Sequence, residues 1–93
     1  MAVIAFRLKG QSYNATEHQI SEAFSIAIDE VLGKNASSIV FKTAKLVYNT
    51  DYSGSLPYQV DSFQGFLRKA LGEGASTRIM DAAISQMQKY WIR

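Results

Sequence analysis

Residues 16–33 read TEHQISEAFSIAIDEVLG and carry the strongest structural signal in this chain of 93 residues. Thr16 and Gln19 have the spacing of a capping box, in which each side chain bonds to the backbone N–H of the other residue at a helix start. Apolar residues then recur every three or four positions, as along one face of a helix: Ile20, Phe24, Ala27, Ile28 and Val31. Gly33 is a typical residue just past a helix end, so this segment predicts one amphipathic helix.

The next segment predicts a second helix. Residues 35–38 contain side chains that commonly cap helices. The apolar stripe that follows them is Ile39, Val40, Ala44, Val47 and Tyr48. Because Ile39 and Val40 are β-branched and Phe41 follows them, a strand is the competing interpretation. Residues 49–57 contain the only proline and are predicted to form a loop.

Two further helices are predicted in the second half of the chain. Asp61 and Gln64 have capping-box spacing, and Gly65 inside this helix indicates a close neighbour at its backbone. The apolar stripe of this helix is Phe63, Phe66, Leu67, Ala70 and Leu71. Ser76 is the predicted cap of the last helix. The stripe of that helix is Ile79, Met80, Ala83, Ile84, Met87 and Trp91. The short glycine turn at residues 72–74 predicts that the two helices form an antiparallel hairpin.

The first residues follow a different rhythm. Ile4, Phe6 and Leu8 alternate with other residues at the two-residue period of a strand. A single strand cannot satisfy its own backbone hydrogen bonds. Residues 2–9 are therefore predicted to pair with residues 39–41, to pair with another chain, or to stay disordered. Pairing between two copies would give a symmetric dimer.

Together these segments predict one domain over residues 1–93. It combines an extended segment at residues 1–12 with a compact all-α bundle of about four amphipathic helices over residues 16–92. Ten Lys and Arg residues stand against eight Asp and Glu, and cysteine is absent. The missing cysteine argues against a small secreted scaffold held by disulfides, and no apolar stretch approaches the length of a membrane span. The expected location is cytoplasmic, without membrane contact.

The titratable residues show no pattern for catalysis or metal binding. His18 has Glu22 one helical turn away, but no nucleophile accompanies them, and a position facing solvent is the simpler interpretation. Residues 51–54 begin like a calcium loop, but the acidic ligands at alternate positions and the closing glutamate are missing. The chain is therefore expected not to be an enzyme and to have no catalytic residue, cofactor or metal.

Several apolar and aromatic residues are candidates for an interaction surface, because aromatic residues are enriched where proteins bind each other. They are Ile4, Phe6, Leu8, Tyr52, Tyr58, Tyr90 and Trp91. The competing interpretation is a lid of aromatic side chains over one end of the bundle. The favoured function is a non-catalytic module for protein–protein interaction or self-association, with a homodimer or another protein as partner.

A nucleic-acid-associated domain is the alternative, less favoured function. Its contacts would be Lys42, Lys45, Arg68, Lys69, Arg78 and Lys89. The last two predicted helices could act as a helix-turn-helix, with residues 76–78 reading bases. Two glycines in the turn, and Glu73 facing the phosphates, argue against it. Whether the six basic residues converge on one face depends on the fold.

Two runs of residues carry a family resemblance. One is the first-helix stripe that ends in Val31-Leu32-Gly33, and the other is Phe63-x-x-Phe66-Leu67-x-x-Ala70-Leu71-Gly72-x-Gly74-Ala75, which runs into Ile79 and Ile84. From Ile20 onward, over about three-quarters of the chain, these residues resemble a family of small archaeal "output" domains. Residues 1–16 and 42–49 depart from the pattern. The resemblance implies an all-helical fold and no enzyme activity, and the molecular function of that family is unknown. The favoured interaction module would be of the signalling-output type.

Overall fold

The structure, a computed structural model, describes residues 3–92, apart from the side chains of residues 53 and 54. Two strands open the chain, β1 (Val3–Leu8) and β2 (Gln11–Thr16). The helices are α1 (Glu17–Leu32), α2 (Ala36–Tyr48), α3 (Tyr52–Ser55), α4 (Val60–Leu71) and α5 (Glu73–Met87), with 3-10 turns at Leu56–Tyr58 and Gln88–Tyr90. The described chain is mostly helical, as predicted, but it also contains a small β-hairpin that the predicted all-α fold lacked.

β1 pairs with β2 in an antiparallel hairpin, in register from Val3 opposite Thr16 to Leu8 opposite Gln11. Lys9 and Gly10 form the two-residue turn, with φ values of 48° and 79°. Positive φ at both turn residues matches the right-handed twist of paired strands. Pairing with residues 39–41 and disorder were therefore wrong over the described residues (residue 2 lies outside them), because the partner within the chain is the next segment. Pairing with another chain stays a prediction.

β2 was missed because polar residues surround its two inward-facing side chains. Tyr13 and Ala15 are 0% and 1% exposed, whereas Gln11 and Asn14 are exposed. A strand that buries one face needs only alternate residues to be apolar, and here one of them is the small alanine. The competing strand at residues 39–41 is not observed, since this segment lies inside α2.

α1 begins and ends as predicted. The Gln19 N–H donates to Thr16 Oγ1 at 3.1 Å, and the Thr16 N–H donates to Gln19 Oε1 at 2.9 Å, which completes the capping box. Gly33 follows the helix with a φ of 113°, and its N–H donates to the Asp29 carbonyl at 2.9 Å. Within the predicted stripe Val31 is half-buried and the other four residues are buried, so this face meets the core.

α4 and α5 begin earlier than their predicted caps. The Gln59 side chain precedes α4 without capping it, and Asp61 lies in the first turn, so the capping box of Asp61 and Gln64 was wrong. A carboxylate in the first turn still interacts favourably with the helix dipole. α5 follows directly on Gly72, whose φ of 89° turns the chain within one residue. Ser76 is consequently buried inside α5, which packs against α1 and α4, and does not cap it.

Phe63 of α4 lies at the centre of the core. Its ring centroid lies 5.9 Å from Phe24 of α1, 5.6 Å from Phe41 of α2, 5.0 Å from Tyr52 of α3 and 6.2 Å from Phe66. Rings at these separations attract each other beyond the effect of burial alone. One ring therefore connects four helices, including α3, which lies in the segment predicted as a loop.

We expect Phe63→Ala to lower the free energy of unfolding by about 3–5 kcal/mol, because it removes a buried ring and leaves a cavity. Urea unfolding followed by circular dichroism measures this change. Leu46→Ala is the matched control: Leu46 is 74% exposed, so its truncation should change stability by less than about 0.5 kcal/mol. Similar losses in the two variants would contradict the central position of Phe63.

Ser76 gives a second test of the core. Its hydroxyl is buried and has no hydrogen-bond partner in the described part of the chain. An unsatisfied buried polar group costs about 1–3 kcal/mol, so we expect Ser76→Ala to raise the free energy of unfolding by about 1 kcal/mol or more. Ser85→Ala, an exposed change in the same helix, measures the gain from helix propensity alone. Equal gains would show that burial of the Ser76 hydroxyl has no cost.

Candidate interaction surface

α2 leaves a large apolar area exposed. Ile39, Leu46 and Val47, here called the α2 face, are 67%, 74% and 66% exposed, whereas Val40 and Ala44 are buried. The prediction that Ile39 and Val47 face the core was therefore wrong. Ile39 lies about 100° round α2 from Val40, and the side of the helix that packs on the core takes Val40 and Ala44.

A groove runs between α2 and α4 beside this face. It encloses about 180 Å³ and is lined by Ile39, Val40, Thr43, Phe66, Ala70 and Leu71. These side chains are apolar apart from the Thr43 hydroxyl. A second hollow of about 290 Å³ shares Phe66 with the groove, and its other lining residues are Tyr48, Thr50, Tyr52, Ser62, Gly65 and Lys69. The α2 face and this α2–α4 groove thus place exposed apolar side chains beside an apolar hollow.

Gly65 of α4 has open space beside its Cα, at the wall of the second hollow. A Cβ at this position would meet nothing within 4 Å, so the close neighbour predicted for this glycine is absent among the described residues. Glycine inside a helix costs about 1 kcal/mol relative to alanine. Since no packing contact of the described chain explains that cost, Gly65 is a place where a partner's atoms can approach the α4 backbone.

Three lysines lie on α2 and α4, outside the lining of the α2–α4 groove. Lys42 lies one helical turn from both Ile39 and Leu46, Lys45 lies further round α2, and Lys69 lines the second hollow. None of the three forms an ion pair with another residue of the described chain. Residues 36–48 include no acidic residue.

The acidic residue of α4 also lies near the second hollow. Asp61 is one helical turn before Gly65, and Lys69 is one turn after it, so one charge of each sign flanks the α4 wall of that hollow. The residues that line the α2–α4 groove carry no charge.

The residues predicted as an interaction surface do not come together. Phe6, Leu8 and Tyr52 are 3%, 5% and 3% exposed, so the folded chain does not present them to a partner. Phe6 and Leu8 point from β1 into the core, and Tyr52 packs on Phe63 and shares a 2.7 Å hydrogen bond with Ser62 Oγ. The sequence indicated only that these side chains are apolar, which suits burial as well as binding.

The other four residues of that predicted set are separated on the molecule. Ile4 and Tyr90 are half-buried, while Tyr58 and Trp91 are 66% and 43% exposed. Trp91, predicted on the last helix, instead forms an isolated bridge to Tyr13 at the outer edge of β2. The next residue continues this pairing through an N–H bond from Ile92 to the Ser12 carbonyl at 2.9 Å. That edge of the hairpin is therefore occupied by the chain itself.

The six basic residues named for nucleic-acid binding also lie apart. Lys42 and Lys45 are on α2, and Arg68 and Lys69 point to different faces of α4. Arg78 is exposed on α5. Lys89 lies 5.4 Å from the centroid of the Tyr90 ring and lines a small hollow together with Glu22. The six basic residues therefore lie on four different elements and do not form one basic surface.

His18 lies in solvent, where its Nε2 is 3.4 Å from Glu22 Oε2. Among the described residues, no three His, Cys, Asp or Glu side chains are placed to hold a metal ion. Over the same residues, no helix has the length and apolar character needed to cross a membrane.

Comparison with known proteins gives no relative: no family model, curated protein or solved structure matches the chain. The resemblance to archaeal output domains accordingly stays a prediction.

Sequence reasoning missed Leu46 and the groove, although one signal pointed to them. Between residues 39 and 48, α2 carries apolar side chains at more angular positions than one buried face can hold. An excess of apolar positions on a helix indicates a second apolar face. The sequence does not tell which of the two faces meets the core.

Tyr58 connects the first 3-10 turn to the start of α1. Its hydroxyl donates to Glu17 Oε1 at 2.7 Å, and this hydrogen bond is the main cause that raises the pKa of Tyr58 above its ordinary value of 10.0. Burial raises the pKa of Tyr13 as well. Each tyrosine therefore has a higher pKa in the folded chain than in the unfolded chain. Its contribution to the free energy of unfolding is complete at a pH below the unfolded-state pKa, and it is lost as the pH rises through the folded-state pKa.

We therefore expect the free energy of unfolding to fall as the pH rises above about 10. The fall should be smaller in Tyr58→Phe than in the wild type, because phenylalanine has no hydroxyl to titrate. Unfolding by urea at a series of alkaline pH values gives both profiles. Tyr13 keeps titrating in the variant, so part of the fall remains. Superimposable pH profiles of the two proteins would show that the Tyr58–Glu17 hydrogen bond does not contribute.

Proposed function

We propose that this chain is a non-catalytic protein–protein interaction module, and that it binds through the α2 face and the α2–α4 groove. The proposal rests on the exposure of three apolar side chains of one helix beside an apolar groove. Ile39, Leu46 and Val47 are each exposed over about two-thirds of their surface or more. Large contiguous apolar areas are uncommon on monomeric proteins and are typical of binding sites. A groove between two helices is a common receptor for an amphipathic helix.

The occupant is another protein or a second copy of the chain. In this proposal the module works in the cytoplasm, which the absence of cysteine supports, and serves as an output element of a signalling system, which the family resemblance supports. The spread of the basic residues over α2, α4, α5 and the C-terminal turn favours this function over the nucleic-acid alternative, because duplex binders concentrate their basic residues on one face.

Selection from a phage-displayed library of random peptides of about 16 residues tests the proposal with the intact chain as bait. We expect enriched peptides with apolar residues at the i, i+3 or i+4, and i+7 positions. Their affinity should fall by about tenfold or more in Leu46→Asp, because a buried unpaired charge is costly. Ser85→Asp, on the exposed side of α5, is the matched control and should bind like the wild type.

Two results would contradict the interaction function. One is the absence of any enriched peptide. The other is a set of enriched peptides that bind Leu46→Asp and the wild type equally well, which would place the binding surface away from α2.

A further inference from the structure

We infer that the outer edge of β1 pairs with the same edge of a second copy of the chain, so that two hairpins form one four-stranded antiparallel sheet. This surface is separate from the α2–α4 groove, and the inference goes beyond the proposed function. Three observations carry it: an edge that no described segment covers, the direction of its backbone groups, and a strand that is complementary to itself.

β1 has a free edge. Among the described residues, β2 is the only element that runs alongside β1, and no backbone hydrogen bond joins β1 to another segment. The outer edge of β2 is occupied, since Ile92 bonds to Ser12 and Trp91 bridges to Tyr13. A free strand edge is a template for a further strand. Within the described chain, the sheet can therefore grow only at β1.

The backbone groups at this edge belong to Val3, Ala5 and Arg7. The Ser12 carbonyl accepts the Ile92 N–H at 2.9 Å, so the backbone groups of Ser12 point away from β1. Ser12 stands opposite Arg7 in the hairpin. Opposite residues of an antiparallel pair either exchange hydrogen bonds or turn away from each other, and the two kinds alternate along the strand. The N–H and C=O groups of Val3, Ala5 and Arg7 consequently point to the free edge, while those of the intervening residues point to β2.

One symmetric register uses all of these outward groups. A two-fold axis beside Ala5 places Ala5 opposite its own copy, and Val3 of each chain opposite Arg7 of the other. Each of these residues can then exchange hydrogen bonds with the residue opposite, because its backbone groups point outward. The same register keeps core-facing side chains opposite core-facing ones, whereas a slip by one residue would mix the two faces of the sheet.

The side chains that meet in this register are compatible. Ile4 lies on the core side of β1, as Phe6 and Leu8 do, yet it is half-buried while they are 3% and 5% exposed. In the paired sheet Ile4 stands opposite Phe6 of the second copy, which adds an apolar neighbour. Val3, which is 60% exposed, meets the aliphatic stem of Arg7. The two Arg7 residues stay four residue steps apart, about 13 Å along the strand, so like charges do not face each other.

β1 also lacks most features that keep a strand edge unpaired in monomeric proteins. Such edges commonly carry charges, proline or a β-bulge. β1 has no proline, its pairing with β2 is continuous over six residues, and its one charged residue, Arg7, meets Val3 in the paired sheet. Because the chain itself occupies the outer edge of β2, the sheet closes at two copies and does not extend into a filament.

Light scattering of the intact chain over a range of concentrations tests the pairing. We expect a wild-type dimer whose dissociation constant rises about tenfold or more in Ala5→Pro, because proline removes an N–H at the centre of the new interface. That N–H points away from β2, and proline is tolerated on the outer side of an edge strand, so the hairpin should keep its fold. Ala5→Thr is the matched control. It keeps the N–H, adds a strand-favouring side chain at an exposed position, and should dimerise like the wild type.

Hydrogen exchange of the wild type is a second measurement that needs no variant. In a single chain the amides of Ala5 and Arg7 have no backbone acceptor among the described residues, so they should exchange quickly. We expect their exchange to slow by about tenfold or more at concentrations where the dimer predominates. The amides of Ile4 and Phe6 point to β2 and should change little with concentration. If circular dichroism shows that Ala5→Pro does not fold, this measurement decides alone.

Three outcomes would overturn the inference. The first is a monomer at every concentration, with Ala5 and Arg7 exchanging quickly throughout. The second is a folded Ala5→Pro that dimerises as tightly as the wild type. The third is a dimer that Leu46→Asp dissociates while the exchange of Ala5 and Arg7 stays fast, which would place self-association on the α2 face. The peptide selection tests the α2–α4 groove separately, so failure of the proposed function and failure of this inference are distinguishable.

Discussion

The packing of aromatic rings around Phe63 is the interaction on which the rest of the structure depends. A domain of this size buries a limited fraction of its surface, so one cluster supplies a large share of the core. Because rings from α1, α2 and α3 all contact Phe63, the position of each helix depends on the others. Phe6 extends the cluster to β1 through an edge contact with Phe24 at 6.4 Å.

The exposed apolar surface is a consequence of how α2 joins this cluster. Phe41 stacks on Phe63 at 5.6 Å, and Tyr48 contacts Phe66 at 5.3 Å. These contacts hold one side of α2 against the core and turn Leu46 to solvent. Core packing and the candidate binding surface thus have one origin.

The β-hairpin has a structural role in this arrangement. Phe6, Leu8 and Tyr13 close one end of the core, and the pairing of Ile92 with Ser12 occupies the outer edge of β2. α2 carries four of the exposed large apolar side chains, Ile39, Leu46, Val47 and Tyr48, whereas Phe6, Leu8 and Tyr13 of the hairpin are buried.

The sequence by itself determined the features that depend on residues within about one helical turn of each other. The capping box of Thr16 and Gln19, the helix end at Gly33 and the buried stripe of α4 around Phe63 and Phe66 are all of this kind. Only the tertiary structure decided which apolar face of α2 is buried and which strand pairs with β1. Those choices depend on contacts between residues far apart in the chain, and apolar spacing along one segment cannot distinguish a face that meets the core from a face that is exposed to solvent.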